Sequence, residues 1–209
     1  MRYIFCLLFS IAFAVHAADG PPKRYFPDNP RLVVLFHEDQ DDRHGFPNTK
    51  RTYEEINERD EARRQEILVL LARGKIRTAQ DYFYSAIIFH HGQTNDHYRM
   101  ASSLAWIAAT LDPKPKYLYE TASTWDRMMV KRDQPQWYGV QPKHGENLKQ
   151  IGFYPINDTA VTDEERVRFQ IKPRPRLMAE PDQPARWPPE VTDAASTEHP
   201  TLKRLEAAP

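Results

Sequence analysis

The feature that most limits the possible folds is a series of helix start and stop signals between residues 29 and 132. A capping box, Thr52 with Glu55, precedes one periodic apolar segment, and Gly74 follows that segment. The other predicted starts are Asn29–Pro30, Thr78, Thr94 or Asn95, and Pro115, and the other predicted ends are Gly92, Pro113 and Arg132. Because short loops favour antiparallel neighbours, we predict an all-α fold, a single small helical bundle of about four to five helices with antiparallel hairpins.

Two alternatives stay open at this point. The run "LVVLF" after Pro30 is also compatible with a strand, since a short apolar run does not separate the two structures. The starts at Ala79 and Pro115 are separated by close to the roughly 34-residue period of helical-hairpin repeats. No shared residue pattern accompanies that spacing, so a single bundle is favoured over a repeat array.

The N-terminal residues "MRYIFCLLFSIAFAVHAAD" have the layout of a cleavable secretory signal, with Arg2, an apolar run to Val15, and then Ala17 and Ala18. The run is too short to span a bilayer as a helix. We therefore predict a signal peptide over residues 1–17, cleaved after Ala17, and a periplasmic or extracellular location. The only cysteine, Cys6, lies in this segment, so no disulfide and no thiol nucleophile are expected after cleavage.

Composition divides the remainder into a helical domain over residues 18–172 and a tail over 173–209. The tail contains eight prolines and no glycine, so we expect it to be extended or disordered. The formal charge is balanced, with 29 basic and 29 acidic residues, and no basic excess favours nucleic acid as a partner. No second long apolar segment predicts a membrane span, and no motif predicts a cofactor.

The stretch "SAIIFHHGQTNDHY" places three histidines and an aspartate close together in the sequence. Helical geometry puts His90 on the core face, where we expect it to bond the last carbonyl groups of its helix, and His91 on the flank. Adjacent helical histidines do not easily reach one ion, so we expect no metal site unless the following loop folds back. Asp96 and His97 are expected to begin the next helix.

A second polar group lies on the predicted helix that begins at Pro115 and in the loop after it. Asp126 borders the core stripe of that helix, and Arg127 points nearly the opposite way. Arg127 has a role only if the helix is covered on both sides or ends at the rim of a pocket. The loop allows a tight turn at Gly139 and carries three amides that either bind a polar ligand or bond the chain's own backbone: Gln134, Gln136 and Gln141.

"SAIIFHHG", followed by "STWDRMMVKRDQPQWYGVQ", resembles a bacterial family catalogued as a domain of unknown function. Its members have an apolar helix ending in Gln-His or His-His and a small residue, then an Asp-Arg pair and a Gln-x-Tyr-Gly-Thr-Gln loop. "DQDDR" is similar to an upstream Asp-Gln-x-x-Arg element, and Val140 replaces the usual threonine of the loop. Over residues 30–170 the resemblance implies these signature residues: Asp39, Gln40, Arg43, His91, Asp126, Arg127, Gln136, Tyr138, Gly139 and Gln141.

The signature implies a polar pocket at one end of the bundle, and a binding protein is the favoured function. The pocket would bind a small polar or peptide-like ligand, or a protein partner, through amide and guanidinium hydrogen bonds. Asp126 would pair with Arg43 or Arg127. The expected ligand-binding residues are Gln136, Tyr138, Gly139, Gln141, Asp39, Gln40 and Arg43.

Two other functions are weighed against binding. A hydrolase would use water as the attacking group, His91 as acid or base oriented by Asp126, and Arg127 to stabilise negative charge. That function expects the three side chains to converge within about 4–6 Å. A periplasmic inhibitor or immunity protein would instead have an exposed apolar patch or a protruding loop, with the signature residues buried as structural supports.

Overall fold

The computed structural model of the protein describes residues 26–44, 51–145 and 150–173. These ranges form six helices and one two-stranded sheet, in the order α1 (Pro30–Arg43), α2 (Tyr53–Ala72), α3 (Ala79–His90), α4 (Asn95–Leu111), α5 (Pro115–Val130), β1 (Pro142–His144), β2 (Gln150–Phe153) and α6 (Asp163–Arg168). The predicted all-α class is confirmed. The predicted signal peptide, and the tail after Pro173, lie outside the described residues.

The helices begin at the predicted capping residues. The Asn29 side chain accepts a backbone N–H in the first turn of α1, so "LVVLF" is helical rather than a strand. Thr52 and Thr78 each form a complete capping box at the starts of α2 and α3. Thr162 and Glu165 form a third box at α6, a helix that our sequence analysis did not predict although the same signal is present.

Helix α3 lies at the centre of the bundle and packs against α1, α2, α4 and α5. Its side chains are mostly apolar, and Ala86 and Ile88 are completely buried, which is why this helix takes the central position. No helix in the described ranges has the length and apolar character needed to cross a membrane. The main core cluster consists of Leu32, Leu35, Ile67, Ile76, Ala86, Ile88, Phe89, Ala101, Leu104 and Ala105.

Helix α5 is covered on two sides. Towards α3, its Tyr117 packs against Phe83, with ring centroids 5.0 Å apart. On another side, Ala122 packs in a cluster with Tyr138 and Phe169, which belong to the loop after α5 and to the end of α6. The sequence predicted a role for Arg127 only if its helix is covered on both sides or ends at the rim of a pocket, and the first of these conditions is met.

The chain after α5 forms a short cap of irregular structure that the sequence analysis did not predict. Strands β1 and β2 pair antiparallel and are only three and four residues long, too short for a readable alternation of side chains. Arg166 of α6 is buried and donates to the backbone oxygen of Trp137 at 3.1 Å. Together, α6 and the hairpin hold the loop of residues 136–141 against α5.

Candidate functional site

The predicted site residues fall into two structural groups. One group, around Asp126 and the loop of residues 136–141, is buried and bonds the protein's own backbone. The other group lies where the C-terminal end of α3 meets α1 on one side and α5 on another, and it retains partly exposed polar groups.

Asp126 is an internal acceptor for the loop. Its Oδ1 accepts the backbone N–H groups of Trp137 (2.8 Å) and Tyr138 (3.0 Å), and its Oδ2 accepts those of Gly139 (2.8 Å) and Val140 (3.0 Å). The residue is 0% exposed. Burial raises the pKa of its carboxyl, and the four amides oppose that rise. The prediction that Asp126 pairs with Arg43 or Arg127, or orients His91, is therefore wrong.

The two signature glutamines are also used inside the loop. Gln136 accepts the backbone N–H of Gln141 at 2.8 Å and donates to the backbone oxygen of Tyr154 at 2.8 Å. The Gln141 amide donates to the backbone oxygen of Ser123 in α5 at 2.9 Å. Both glutamines are buried, so the structural alternative, in which they bond the chain's own backbone, is the one observed.

The remaining two loop residues support the same turn. Gly139 has φ of +84°, a left-handed conformation that favours glycine. The Tyr138 ring is buried against Phe169, with centroids 5.1 Å apart, and burial raises the pKa of Tyr138 to about 12. Gln136 thus uses its whole amide on backbone groups, and Tyr138 and Gly139 serve the packing and the turn of the loop.

His91 pairs with Asp39, a residue 52 positions earlier in the chain. Its Nδ1 lies 3.0 Å from both carboxylate oxygens of Asp39, which is completely buried. Because an ionised carboxylate only accepts, Nδ1 carries the hydrogen, and in the neutral ring Nε2 keeps a lone pair. The His91 side chain is 29% exposed, and within the described ranges its Nε2 has no partner.

Cationic neighbours keep Asp39 ionised. Arg43 donates to its Oδ1 at 2.9 Å, and Gln40 donates to its Oδ2 at 2.8 Å. Burial by itself raises the pKa of Asp39, but His91, Arg43 and Arg63 together outweigh that effect and hold the pKa below its usual value. Arg43 is itself bonded to Asp60 of α2. Gln40 and Arg43 therefore support the His91–Asp39 pair through the carboxylate of Asp39.

His90 connects α3 to α5 rather than bonding the last carbonyl groups of its own helix, as the sequence predicted. Its Nδ1 lies 2.8 Å from Oε1 of the buried Glu120, and its Nε2 lies 3.4 Å from Nε of Arg127. Burial lowers the pKa of His90, and Arg127 and His91 lower it further, against an opposing effect of Glu120. The ring is therefore neutral at pH 7, donates to Glu120 and accepts from Arg127.

Arg127 keeps donors without a protein acceptor. Its Nε bonds His90, and no carboxylate in the described ranges lies within ion-pairing distance of its guanidinium group. Burial lowers its pKa, opposed by Tyr98, Tyr154 and Glu120. Glu120 therefore acts on Arg127 electrostatically and through His90 rather than by a direct hydrogen bond, and the described residues supply no acceptor for the two terminal nitrogens of Arg127.

His90 adjoins both His91 and Arg127. The imidazole rings of His90 and His91 are nearly parallel, at 12°, with centroids 6.2 Å apart. Arg127 contacts the far nitrogen of His90. We call this group the His91 site, which consists of Asp39, His90, His91, Glu120 and Arg127.

Sequence reasoning missed Glu120 as a member of the site, although a signal was present. Glu120 and Arg127 are seven residues apart, which places them about 20° from each other on one helix face. No such local signal connects His91 with Asp39, because the pair joins two separate helices.

The described ranges hold no cluster of three or more His, Cys, Asp or Glu side chains that could bind a metal ion. A cleft of about 440 Å³ lies at the other end of the bundle, between the starts of α3 and α5. Arg77, Gln80, Lys114 and Tyr117 are among its lining residues, and no predicted site residue is.

No protein-family model, no curated protein and no solved structure matches this chain. The resemblance to a bacterial domain family therefore rests on the sequence elements quoted above. The geometry of the His91 site is the basis for a functional proposal.

Proposed function

We propose that this chain is a secreted or periplasmic protein of that bacterial family and that it binds a small polar ligand at the His91 site. One observation carries the proposal. A buried carboxylate holds one nitrogen of His91 and leaves the other partly exposed, and the neighbouring ring of His90 contacts an arginine with unused donors. A site of this kind offers a ligand one acceptor or donor at His91 and fixed cationic donors at Arg127.

The role of the loop differs from the one that the resemblance implies. Asp126, Gln136 and Gln141 use their polar atoms on backbone groups. They therefore hold the loop against α5, the helix that carries Arg127. Recognition of the ligand falls to His91 and Arg127. This division accounts for a signature that contains more polar residues than one small ligand can contact.

A thermal-shift screen tests this function with a library of metabolites, short peptides and peptidoglycan fragments. We expect a ligand that raises the melting temperature of the protein, and we expect His91→Asn to abolish that rise. His37→Asn is the matched control, because His37 is exposed on α1, away from Asp39. A rise that survives in H91N as it does in H37N would place the ligand elsewhere and overturn the proposal.

A second candidate function is hydrolysis by water, and the His91–Asp39 pair is the observation that favours it. In this reaction Nε2 of His91 takes a proton from water as its oxygen attacks an ester or amide carbon. His91 then returns the proton to the leaving group, and Asp39 holds the imidazole in the required tautomer. Asp39 thus takes the orienting role that the sequence analysis gave to Asp126.

Asp39→Asn separates the two functions. An asparagine still occupies the position but no longer fixes the tautomer of His91, so a hydrolase loses roughly 10²–10⁴-fold in kcat with little change in KM. A binding protein shows no turnover of any library hit, before or after the substitution. The measurement is product formation from each hit by mass spectrometry, with circular dichroism to confirm that D39N is folded.

A further inference from the structure

The cleft of about 440 Å³ between the starts of α3 and α5 has no part in the proposed function. Pockets that bind small molecules usually have volumes of about 300–1,000 Å³ and combine apolar walls with a few polar groups. This cleft has both features. The apolar side chains in its lining include those of Phe26, Leu111 and Tyr117. The charged residues that line it are Asp28, Arg77, Asp112 and Lys114.

Two of these four charged residues pair with each other, and two do not. Nζ of Lys114 lies 2.9 Å from Oδ2 of Asp112. Within the described ranges, Arg77 has no carboxylate and Asp28 has no basic side chain at ion-pairing distance. The cleft therefore contains one unpaired positive charge and one unpaired negative charge.

Other contacts hold Arg77 and Asp28 on the same wall of the cleft. The guanidinium carbon of Arg77 lies 4.9 Å from the centroid of the Phe26 ring, and its Nε donates to the backbone oxygen of Gly74 at 2.6 Å. Oδ1 of Asp28 accepts the hydroxyl of Thr78 at 2.6 Å. These contacts align residues 26–28 with residues 77–78. The terminal nitrogens of Arg77 and Oδ2 of Asp28 are left without a partner in the part of the chain that the structure describes.

We propose that this cleft binds a free amino acid with an apolar side chain. The α-carboxylate matches the terminal nitrogens of Arg77, since a guanidinium fork and a carboxylate form two parallel hydrogen bonds. The α-ammonium group matches Oδ2 of Asp28, and the apolar side chain packs against Leu111, which is 55% exposed. A zwitterion thus satisfies both unpaired charges, whereas a simple acid or a simple amine satisfies only one.

Titration calorimetry of the intact protein with L-phenylalanine tests this site. We expect saturable binding of L-phenylalanine. Two analogues should bind about tenfold more weakly or less: 3-phenylpropionate, which lacks the ammonium group, and 2-phenylethylamine, which lacks the carboxylate. L-Alanine, which keeps both charges and lacks the ring, should also bind more weakly. Either the absence of L-phenylalanine binding or an equal affinity for one of the two analogues would overturn the proposal.

Charge-removing variants assign the binding to Arg77 and Asp28. Arg77→Met and Asp28→Asn should each weaken L-phenylalanine binding by about tenfold or more, and the asparagine oxygen still accepts the Thr78 hydroxyl. Arg73→Met and Asp96→Asn are the matched controls, because neither residue lines the cleft. All four substituted residues are exposed, so the variants should fold, which circular dichroism verifies. Affinities of R77M and D28N equal to those of the controls would refute the site.

Leu111→Ala tests the apolar wall. It should weaken the binding of L-phenylalanine several-fold and leave that of L-alanine nearly unchanged, because only the larger side chain reaches this wall. Ile107→Ala is the control, since Ile107 lies four residues earlier on α4, is 40% exposed and does not line the cleft. Equal losses in L111A and I107A would contradict the assigned position of the side chain.

This site is independent of the His91 site, which lies at the other end of the bundle. L-Phenylalanine should therefore bind to His91→Asn with the affinity of the wild type. Binding that is lost in H91N and retained in R77M would assign the amino acid to the His91 site and refute the second site.

Discussion

At the scale of single residues, Asp126 shows how one buried carboxylate organises a loop. Four consecutive amides, from Trp137 to Val140, point at its two oxygens. No arginine or lysine in the described ranges pairs with this carboxylate, so charge-assisted hydrogen bonds alone offset its desolvation. Gly139 makes the arrangement possible, because its left-handed conformation turns the chain around the carboxylate.

Replacing Asp126 should therefore reduce stability rather than a chemical step. Asp126→Ala leaves four buried donors without an acceptor, and we expect the free energy of unfolding to fall by at least about 3 kcal/mol. Urea denaturation followed by circular dichroism measures this change. Asp96→Ala is the control, since the Asp96 side chain is 86% exposed, and its loss should cost less than about 1 kcal/mol. A variant D126A as stable as D96A would show that the carboxylate does not hold the loop.

At the scale of elements, the junction between α3 and α4 sets the geometry of the His91 site. His91 is the C-terminal cap of α3, and Thr94 caps α4 by accepting the backbone N–H of His97. The turn between the two helices is so close that a Cβ atom on Gly92 would lie 2.3 Å from Cβ of His97. The glycine is required by space rather than by its backbone conformation.

Gly92→Ala tests this contact. The added methyl group meets the Cβ and the ring of His97, so α3 and α4 must separate, and we expect a loss of roughly 1–3 kcal/mol in unfolding free energy. Gly74→Ala is a useful comparison, because Gly74 has φ of +62° but a Cβ atom added there would have no described atom within 4 Å. It should cost about 1 kcal/mol through backbone strain alone. If G92A also weakens ligand binding at His91 and G74A does not, the junction positions the site.

At the scale of the whole molecule, buried polar pairs join helices that are distant in sequence. Asp39 and His91 connect α1 with α3, and Glu120 and His90 connect α5 with α3. These pairs lie at one end of a bundle whose other contacts are mainly apolar. Since a buried polar group needs its partner, the pairs specify how the helices sit against one another.

The stability of the whole protein should depend on pH through His90. Its pKa in the folded state is lowered, mainly by burial, from a value of about 6.5 in the unfolded chain. Its contribution is therefore complete above pH 6.5 and is lost as the pH falls through the folded-state pKa, because the unfolded chain binds the proton more readily. Urea denaturation between pH 5 and 8 should show this decline.

His90→Asn should flatten the decline, because asparagine still donates to Glu120 but does not titrate. One proton is worth at most about 1.4 kcal/mol per pH unit, which bounds the change in slope. His97 also has a pKa lowered by burial, so part of the slope should remain in H90N and decrease further when His97 is replaced as well. A slope in H90N identical to that of the wild type would contradict the buried neutral state of His90.

The helices could be predicted from the sequence because their signals are local. Each cap at Asn29, Thr52 and Thr78 depends on residues within four positions, and a 3.6-residue period shows which face is apolar. His91 and Arg127 were predicted as site residues from the family resemblance, which does not indicate the residues that they contact. The short hairpin and α6 were not predicted, because segments of three to six residues are too short to show the periodic spacing of apolar residues that identifies a strand or a helix.

The sequence by itself determined the all-α class, the helix starts and the separation of His90 from His91 onto different sides of one helix. Only the tertiary structure decided that Asp39 rather than Asp126 orients His91, and that Asp126 serves the loop. The physical reason is the range of the interactions. A helix cap is formed by residues a few positions apart in the chain, whereas the partner of a buried charge depends on which helix packs against it. His91 and Asp39 are 52 residues apart, and no local rule reaches that far.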